Sequence, residues 1–442
     1  MEVKVKFLRF LIIFLLILLP CFAVSGQAIT LTIEDAVQRA MDQSINLKRG
    51  AIDLAQAGYS ASRLWSEIFP GFSLNVGFNF LPGTPLLTDP GFTYRDEALA
   101  YSINLGLSLS LNPSIASSMR RIELAYRSQL LSYEQAMRQL EIQVIKNFLS
   151  LINSREQIAF MNENYELATQ NLNQDRIAWQ NGMLNELAWL NSQLSVQTAR
   201  YNLSMARGAY QIALEDFLAL LGMDTGTDII LEGNIEIIPV IYDPDELIGM
   251  YLHRRPDIIA QQQTIERLEL TRNINTLSSR SPGLNLSAQW RGGPGSGGLS
   301  APFTDNISGT VTLSIPVDSW IPGTRQNQNL RAADAELEKA NLDLQNTRTR
   351  AIAQIRSLVL NLANTLESLE IARQRMEIAR RTLQATEIGF RNGTVQYRVL
   401  EEARRDLADA TQRLLTGEFS YQSMLLDLAA ALNVDWRTLT RR

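Results

Sequence analysis

An enzyme site needs nucleophiles, bases and ligands in sufficient number, and this chain supplies few of them. His253, in "YLHRRPD", is the only histidine among 442 residues. Neither a two-histidine metal site nor a Ser-His-Asp triad has a second place to form. A single histidine in that setting reads as a helix-surface or cap residue. Cys21 is the only cysteine, so paired thiols are excluded within one chain. No Walker-type phosphate loop is present. Asp and Glu number 46 against 41 Lys and Arg, a net charge of −5. Catalysis by carboxylates alone stays open, but no pattern points to it. The balance leaves no basic footprint for nucleic acid. The expectation is a protein with no catalytic residues, metal or cofactor.

The segment "MEVKVKFLRFLIIFLLILLPCFAVSG" reads as a secretory signal covering residues 1–26. Lys4, Lys6 and Arg9 precede an apolar run from Phe10 to Leu19, and small residues follow at Ser25 and Gly26. The run is too short and wrongly flanked for a spanning helix. Cys21 has two readings. It is the acylated residue of a lipoprotein signal, or a residue cut away with the leader. Pro20 stands where lipidation wants a small residue, which favours the second.

The remaining chain reads as a duplication. "AYQIALEDFLALLGMD" ends at Asp224 and "SYQSMLLDLAAALNVD" at Asp435. Tyr210 matches Tyr421, Leu214 matches Leu425, Asp216 matches Asp427 and Leu221 matches Leu432, each pair 211 apart. Gly182 and Gly393 share that offset. A repeat at a fixed spacing implies a repeated structural unit. The domains are then a first repeat over 27–222, a linker over 223–243 and a second repeat over 244–442. The linker stretch "DIILEGNIEIIPVIYDP" reads as short strands of a collar.

Each repeat holds two strands and a very long helix. In "GFSLNVGFNF", Phe72, Leu74, Val76, Phe78 and Phe80 alternate with Ser, Asn and Gly. "YSINLGLSLSL", "GLNLSAQW" and "ISGTVTLSI" follow the same rule, which gives each strand one apolar and one polar face. About ten residues suits a tilted strand crossing a bilayer. The stretches "LPGTPLLTDPGF" and "GGPGSGGLSAPFTD" read as the loops between paired strands. Ser117–Gln180 then contains neither proline nor glycine, and Thr324–Arg391 contains only Gly389. Helices of that length run about 100 Å at 1.5 Å per residue. Ile352, Ile355, Val359, Leu362, Leu366 and Leu369 step 3-4-3-4-3, a coiled-coil seam. Met137, Leu140, Val144, Phe148 and Leu151 nearly repeat it. Asn181-Gly182 and Asn392-Gly393 read as the reversals, with Asn and Gly supplying positive φ.

Four strands cannot close a barrel, and an open edge in lipid leaves backbone groups unpaired. Chains must pool strands. Two give eight, a barrel filled by its own side chains; three give twelve and room for a wet lumen.

With these features together, the chain resembles the TolC family of outer-membrane efflux proteins. The resemblance rests on "HRRPDIIAQQ", the two Asn-Gly tips with their following helices, the paired "YQ..L.D...L" endings, and strand pairs followed by long helices. It spans nearly all of the mature chain. It implies a mixed α/β membrane protein: coiled-coil helical hairpins forming a periplasmic α-barrel, and four strands per chain in a trimeric twelve-stranded outer-membrane β-barrel. It implies a homotrimer in outer-membrane lipid that performs no chemistry. Cargo would come from an inner-membrane transporter through a periplasmic adaptor protein. The tip residues that would touch the adaptor are Trp179, Asn181, Gly182, Met183 and Leu184, then Phe390, Asn392, Gly393, Thr394 and Val395. Family members often carry an acid six positions after the tip glycine; here those positions hold Ala188 and Val399. Glu401 and Glu402 are the nearest acids in the second repeat and become candidates for a periplasmic gate, with a solvated helix face as the alternative. A ring of such carboxylates would favour cations. Arg255, Pro256 and Asp257 read as structural, with Pro256 at a helix start and Asp257 charging its amino end. The competing reading is a periplasmic coiled-coil tether, which accounts for the rods but not for the amphipathic strands.

Overall fold

The structure is a computed structural model describing residues 29–81, 85–88, 91–94, 98–233, 237–294 and 302–440. The leader and Cys21 lie outside the described residues. In chain order the elements are β1 (Ile29–Leu31), α1 (Ile33–Gln43), α2 (Ile45–Ser62), β2 (Gly71–Leu81), β3 (Pro85–Thr88), β4 (Gly91–Tyr94), β5 (Ala98–Leu111), α3 (Ile115–Gln180), α4 (Glu186–Leu220), β6 (Ile229–Leu231), α5 (Pro244–Tyr251), α6 (Pro256–Arg280), β7 (Gly283–Pro294), β8 (Phe303–Ser314), α7 (Arg325–Arg391), α8 (Tyr397–Leu432) and α9 (Trp436–Thr440). Among the described residues no helix is long and apolar enough to cross a membrane. Contacts divide the chain into two compact units.

The first unit gathers the chain up to residue 44 with residues 140–237 and 369–420. Its core forms where the first helical seam meets the chain's two ends of the repeat. Val144, Phe148, Leu151 and Ile152 of α3 pack with Ala36 and Ala40 of α1 and with Phe217 and Leu221 at the end of α4. The Phe148 and Phe217 rings meet edge-on at 6.2 Å. Each such fully buried side chain contributes about 1.5–3 kcal/mol. The capping box of Thr32 and Asp35 starts α1 and satisfies two backbone donors. Its hydrogen bonds to Thr32 also hold the Asp35 carboxyl below its usual range.

The linker expectation is met only in part. Ile229–Leu231 is a strand, paired in parallel with Ile29–Leu31, and Arg155 Nη1 clamps it by donating to the Leu231 carbonyl at 2.8 Å. Residues 237–243 form no strand, because no neighbouring edge pairs with them; the Tyr421 hydroxyl takes that role by donating to Ile238 O at 2.9 Å and accepting from Val240 N at 3.1 Å. Tyr421 is fully buried in the second unit.

The second unit gathers residues 45–139, 238–368 and the chain from 421 onward. It holds the four-stranded antiparallel sheet in the order β2-β5-β7-β8. The two hairpins of the repeats therefore join through β5 and β7, with Leu105 opposite Trp290 and Leu109 opposite Leu286. The segment expected to be a loop after Leu81 carries a further short hairpin, β3 with β4, and β5 begins at Ala98 rather than Tyr101. Strands β3 and β4 each span four residues, Pro85–Thr88 and Gly91–Tyr94, too few positions for periodicity to register. Of the second seam, Ile355, Val359 and Leu362 here and Leu369 in the first unit are under 10% exposed, while Ile352 and Leu366 are half-buried.

Candidate functional site

Two regions concentrate the features that bear on function, one in each unit.

The first is the pair of reversals. At the first, Gly182 N bonds Trp179 O, and Met183 N and Leu184 N both bond Ala178 O. At the second, Gly393 N bonds Phe390 O, and Thr394 N and Val395 N both bond Gly389 O. This is one helix-ending geometry built twice. Only the glycines take the left-handed conformation, with φ of 70° at Gly182 and 74° at Gly393. The expectation that Asn181 and Asn392 share it is corrected: each remains in the last helical turn, its N–H bonded four residues back to Ile177 and Ile388. Asn185 then caps α4 by accepting from Ala188 N at 2.8 Å.

Aromatic rings brace both reversals. Trp179 and Trp189 stack at 4.4 Å, nearly parallel, and Phe390 meets Tyr397 at 5.9 Å. The expected tip residues thus divide by position. Trp179, Leu184, Phe390 and Val395 are half-buried, while Asn181, Gly182, Met183, Asn392, Gly393 and Thr394 face solvent. Met183 is 81% exposed, a large apolar side chain held outward at the end of a hairpin.

Just behind the tips lies a polar cluster that sequence reasoning missed. Asp175 and Ser192 are both buried, and the Ser192 hydroxyl bonds the Asp175 carboxylate. The Tyr397 hydroxyl donates to Asp175 Oδ2 at 2.9 Å and lies 2.8 Å from Ser192 Oγ. Burial first, then the nearby Glu401 and Asp175 charges, push the Tyr397 hydroxyl well above its ordinary pKa, against the opposing hydrogen bond from Ser192. It therefore stays a neutral donor. Arg404 extends the cluster, donating to Glu401 at 2.7 Å and to Asn171 Oδ1 at 2.9 Å. A signal was present: Ala188, Ser192, Val196 and Leu203 are the buried stripe of α4, and a serine on such a stripe needs a partner.

The gate candidates differ in freedom. Glu401 is half-buried and tied to Arg404. Glu402 is exposed, and its ion-pair partner is Arg398 of its own helix at 3.9 Å.

The second region is the sheet and the helix beside it. Register gathers the alternating large apolar residues of the four strands on one face, which Asp305 interrupts with a charge. Phe72 faces Leu107, Leu74 faces Leu105, Leu284 faces Leu313, and Trp290 faces Ile307. Phe72, Leu74, Phe78, Ile307, Val311 and Leu313 are each more than 60% exposed. An exposed apolar face of that extent needs a nonaqueous neighbour. The opposite face is a polar ladder of Ser73, Asn75, Asn104, Ser108, Asn285, Ser287, Gln289, Ser308 and Thr310.

In the same unit, Arg255 precedes α6, which starts at Pro256. Its guanidinium is buried and forks onto Asp257, Nε to Oδ1 at 3.1 Å and Nη2 to Oδ2 at 2.8 Å; Nη2 also reaches Gln354 Oε1 at 2.9 Å. Burial alone would raise the Asp257 pKa. The Arg255 hydrogen bonds and charge, with the Ile258 amide, outweigh it and hold the carboxyl low. Among the described residues no three His, Cys, Asp or Glu side chains gather to hold a metal.

Comparison with known proteins gives this architecture a family. The family model described as outer membrane efflux protein matches residues 36–223 and again residues 247–434. A curated relative, the probable outer membrane lipoprotein SilC of Salmonella typhimurium, is 22% identical, over 90% of this chain and 85% of its own length. Among solved structures, a membrane protein from Pseudomonas aeruginosa superposes with a TM-score of 0.75 at 18% identity, covering 91% of this chain and 90% of that one. The Campylobacter jejuni CmeC outer membrane channel gives 0.73 at 17% identity, covering 90% and 85%. With most of its length matched by the family model, an exposed apolar sheet face and twinned helical reversals, the chain belongs to the family of outer membrane efflux proteins.

Proposed function

We propose that three copies of this chain pool their strands into a twelve-stranded barrel, forming a passive duct that carries cargo across the outer membrane. The observation that carries this reading is the four-stranded sheet with β2 and β8 as its edges and one face apolar but for Asp305. In lipid each unpaired edge group costs several kcal/mol, so the edges require strands from other chains. The two segments matched by the family model are offset by 211 residues at both ends, which supports reading the chain as a duplication. The polar ladder becomes the wet lining, and the duct itself makes and breaks no bond.

Cargo enters from an inner-membrane transporter by way of a periplasmic adaptor. The adaptor contacts the two reversals, Trp179, Asn181, Gly182, Met183 and Leu184 with Phe390, Asn392, Gly393, Thr394 and Val395. Met183 supports this assignment, since its exposure serves no packing purpose within the chain. Glu402 supplies the gate carboxylate, because Arg404 holds Glu401 at 2.7 Å while Arg398 approaches the exposed Glu402 only to 3.9 Å. Arg255, Pro256 and Asp257 fix the start of α6. Cys21 departs with the leader, although a relative's name marks that relative as a lipoprotein.

The test is native mass spectrometry of the detergent-extracted complex from an outer-membrane fraction. Three mature chains are expected. A monomer would leave four strands with open edges and overturn the duct.

A further inference from the structure

The polar face of the sheet carries one charge. In a register row across all four strands, Asn75 lies opposite Asn104, Asn104 opposite Arg291, and Arg291 opposite Asn306. Among the described residues of these strands, Arg291 and Asp305 are the only charged side chains. Asp305 belongs to the other face, opposite Gly292, where its carboxylate accepts from Trp290 Nε1 at 3.2 Å. It does not neutralise Arg291. The Arg291 Nε donates to Asn104 Oδ1 at 2.8 Å, which steers the guanidinium along the row. The side chain is exposed, and no carboxylate among the described residues pairs with it. The row lies three residues from the hairpin end at Pro294, the end of β7 away from helix α6.

We infer that Arg291, flanked by Asn75, Asn104 and Asn306, forms a positively charged belt in the lumen that favours anionic over cationic solutes. The inference rests on the three-chain barrel proposed above. Twelve strands spaced about 4.8 Å and tilted about 40° close at a radius of about 12 Å. With its Nε held toward Asn104 the guanidinium stands about 4–6 Å off the strand, which leaves each charge about 6–8 Å from the axis, within the Debye length of about 8 Å at physiological salt. A solute passing near the axis therefore feels three like charges. The surrounding asparagine amides supply neutral donors that a passing anion can use. This belt opposes the cation preference expected of an acidic ring on the helices, so the duct filters by charge at a place separate from any gate.

The test measures potential beside the belt without passing current through a gate. Asn306→Cys in the full chain, in outer membranes, is reacted with an anionic methanethiosulfonate and with its trimethylammonium counterpart, using the parent chain as the blank. The ratio of anionic to cationic rates should fall roughly tenfold on adding R291Q and recover with R291K. Should R291Q fail to reach the membrane, 1 M salt on the N306C chain should collapse the ratio, since the Debye length shrinks to about 3 Å. Rapid labelling with a ratio indifferent to both Arg291 and salt would overturn the belt and leave the duct standing. Failure of both reagents to reach N306C would overturn the wet polar face, and the belt with it.

Discussion

The Tyr397 hydroxyl donates to Asp175 Oδ2 at 2.9 Å, joining the start of α8 to the last turns of α3 across 222 residues of sequence. With Ser192 it completes the partners of a buried carboxylate. The Tyr397→Phe substitution leaves Asp175 with the serine alone. A buried acceptor deprived of one partner costs about 1–3 kcal/mol. Amides at the two reversals should exchange at least about fivefold faster in hydrogen-exchange measurements. Unchanged exchange at both reversals would show that the three-residue cluster does not hold the tips together.

Met183 separates docking from folding. Its side chain is almost wholly exposed, so Met183→Glu should change unfolding stability by less than about 0.5 kcal/mol. Export activity should nonetheless fall several-fold if the proposed docking holds, because the charge would enter an apolar contact with the adaptor. Cross-linking from position 183 to the adaptor in intact cells checks the contact directly. Full export with the glutamate in place would remove Met183 from the docking surface.

Arg255 tests whether the Arg-Pro-Asp element is structural. Truncating one partner of a buried pair typically costs about 3–5 kcal/mol, and Arg255→Ala should approach the lower end because Asp257 is partly exposed. Lysine should not rescue it, since a single ammonium cannot reproduce the forked contact with Asp257 and Gln354. The Asp257 pKa is depressed in the folded chain. Its contribution is therefore fully present above the unfolded value near 4 and is lost as pH falls through the lower folded value. Asp257→Asn should destabilise at pH 7, and progressively less as the pH falls below about 4, as followed by thermal unfolding.

Glu418 should behave in the opposite sense. Burial raises its pKa and Glu156 adds to the rise, while Arg373 at 3.6 Å only partly offsets them. The folded chain thus holds the proton more tightly than the unfolded one. The stabilisation from that proton is complete below the unfolded value near 4.3 and is lost as pH rises through the folded value. Glu418→Gln keeps a neutral group at every pH, so it should raise Tm by about 1–2 °C at pH 7. The gain should vanish at pH 4. A lower Tm at pH 7 would mean that the ion pair with Arg373 outweighs burial.

Local rules were legible wherever one residue's neighbours in sequence decide the outcome. Alternation put Phe72, Leu74 and Val76 on one strand face, and the 3-4 spacing of Ile355, Val359, Leu362 and Leu369 anticipated a buried seam. Uninterrupted helix formers gave α3 and α7 nearly to the residue. What stayed hidden depends on partners far away in sequence. The joining of β5 to β7 is one case, since alternation gives a face but not a neighbour. The Asp175, Ser192 and Tyr397 cluster is another: the stripe of α4 marks Ser192, which also reaches Ala188 O of its own helix at 3.1 Å, but nothing near it in sequence names Asp175 or Tyr397 as partners. The endings at Gly222 and Asn433 show a subtler limit. Both residues adopt positive φ, at 67° and 55°, but a Cβ at Gly222 would lie 2.7 Å from the Gln43 side chain. The first site therefore needs glycine, and the second accepts asparagine, a distinction carried by a neighbour 179 residues away.

The bare outer edges of β2 and β8 also bear on how the molecule is made. If the barrel is pooled as proposed, no amount of correct folding by one polypeptide can finish its own sheet, because the hydrogen-bond partners of those edges would come from sister copies. Assembly would then be of higher order than one in chain concentration, and its yield would depend steeply on expression level. A variant altered only along Phe72–Leu81 or Phe303–Ser314 would fail at the meeting of molecules, after each had folded. Co-expressed with the parent chain, it would also spoil complexes that contain normal copies, so that a minority of defective chains would poison a majority of ducts.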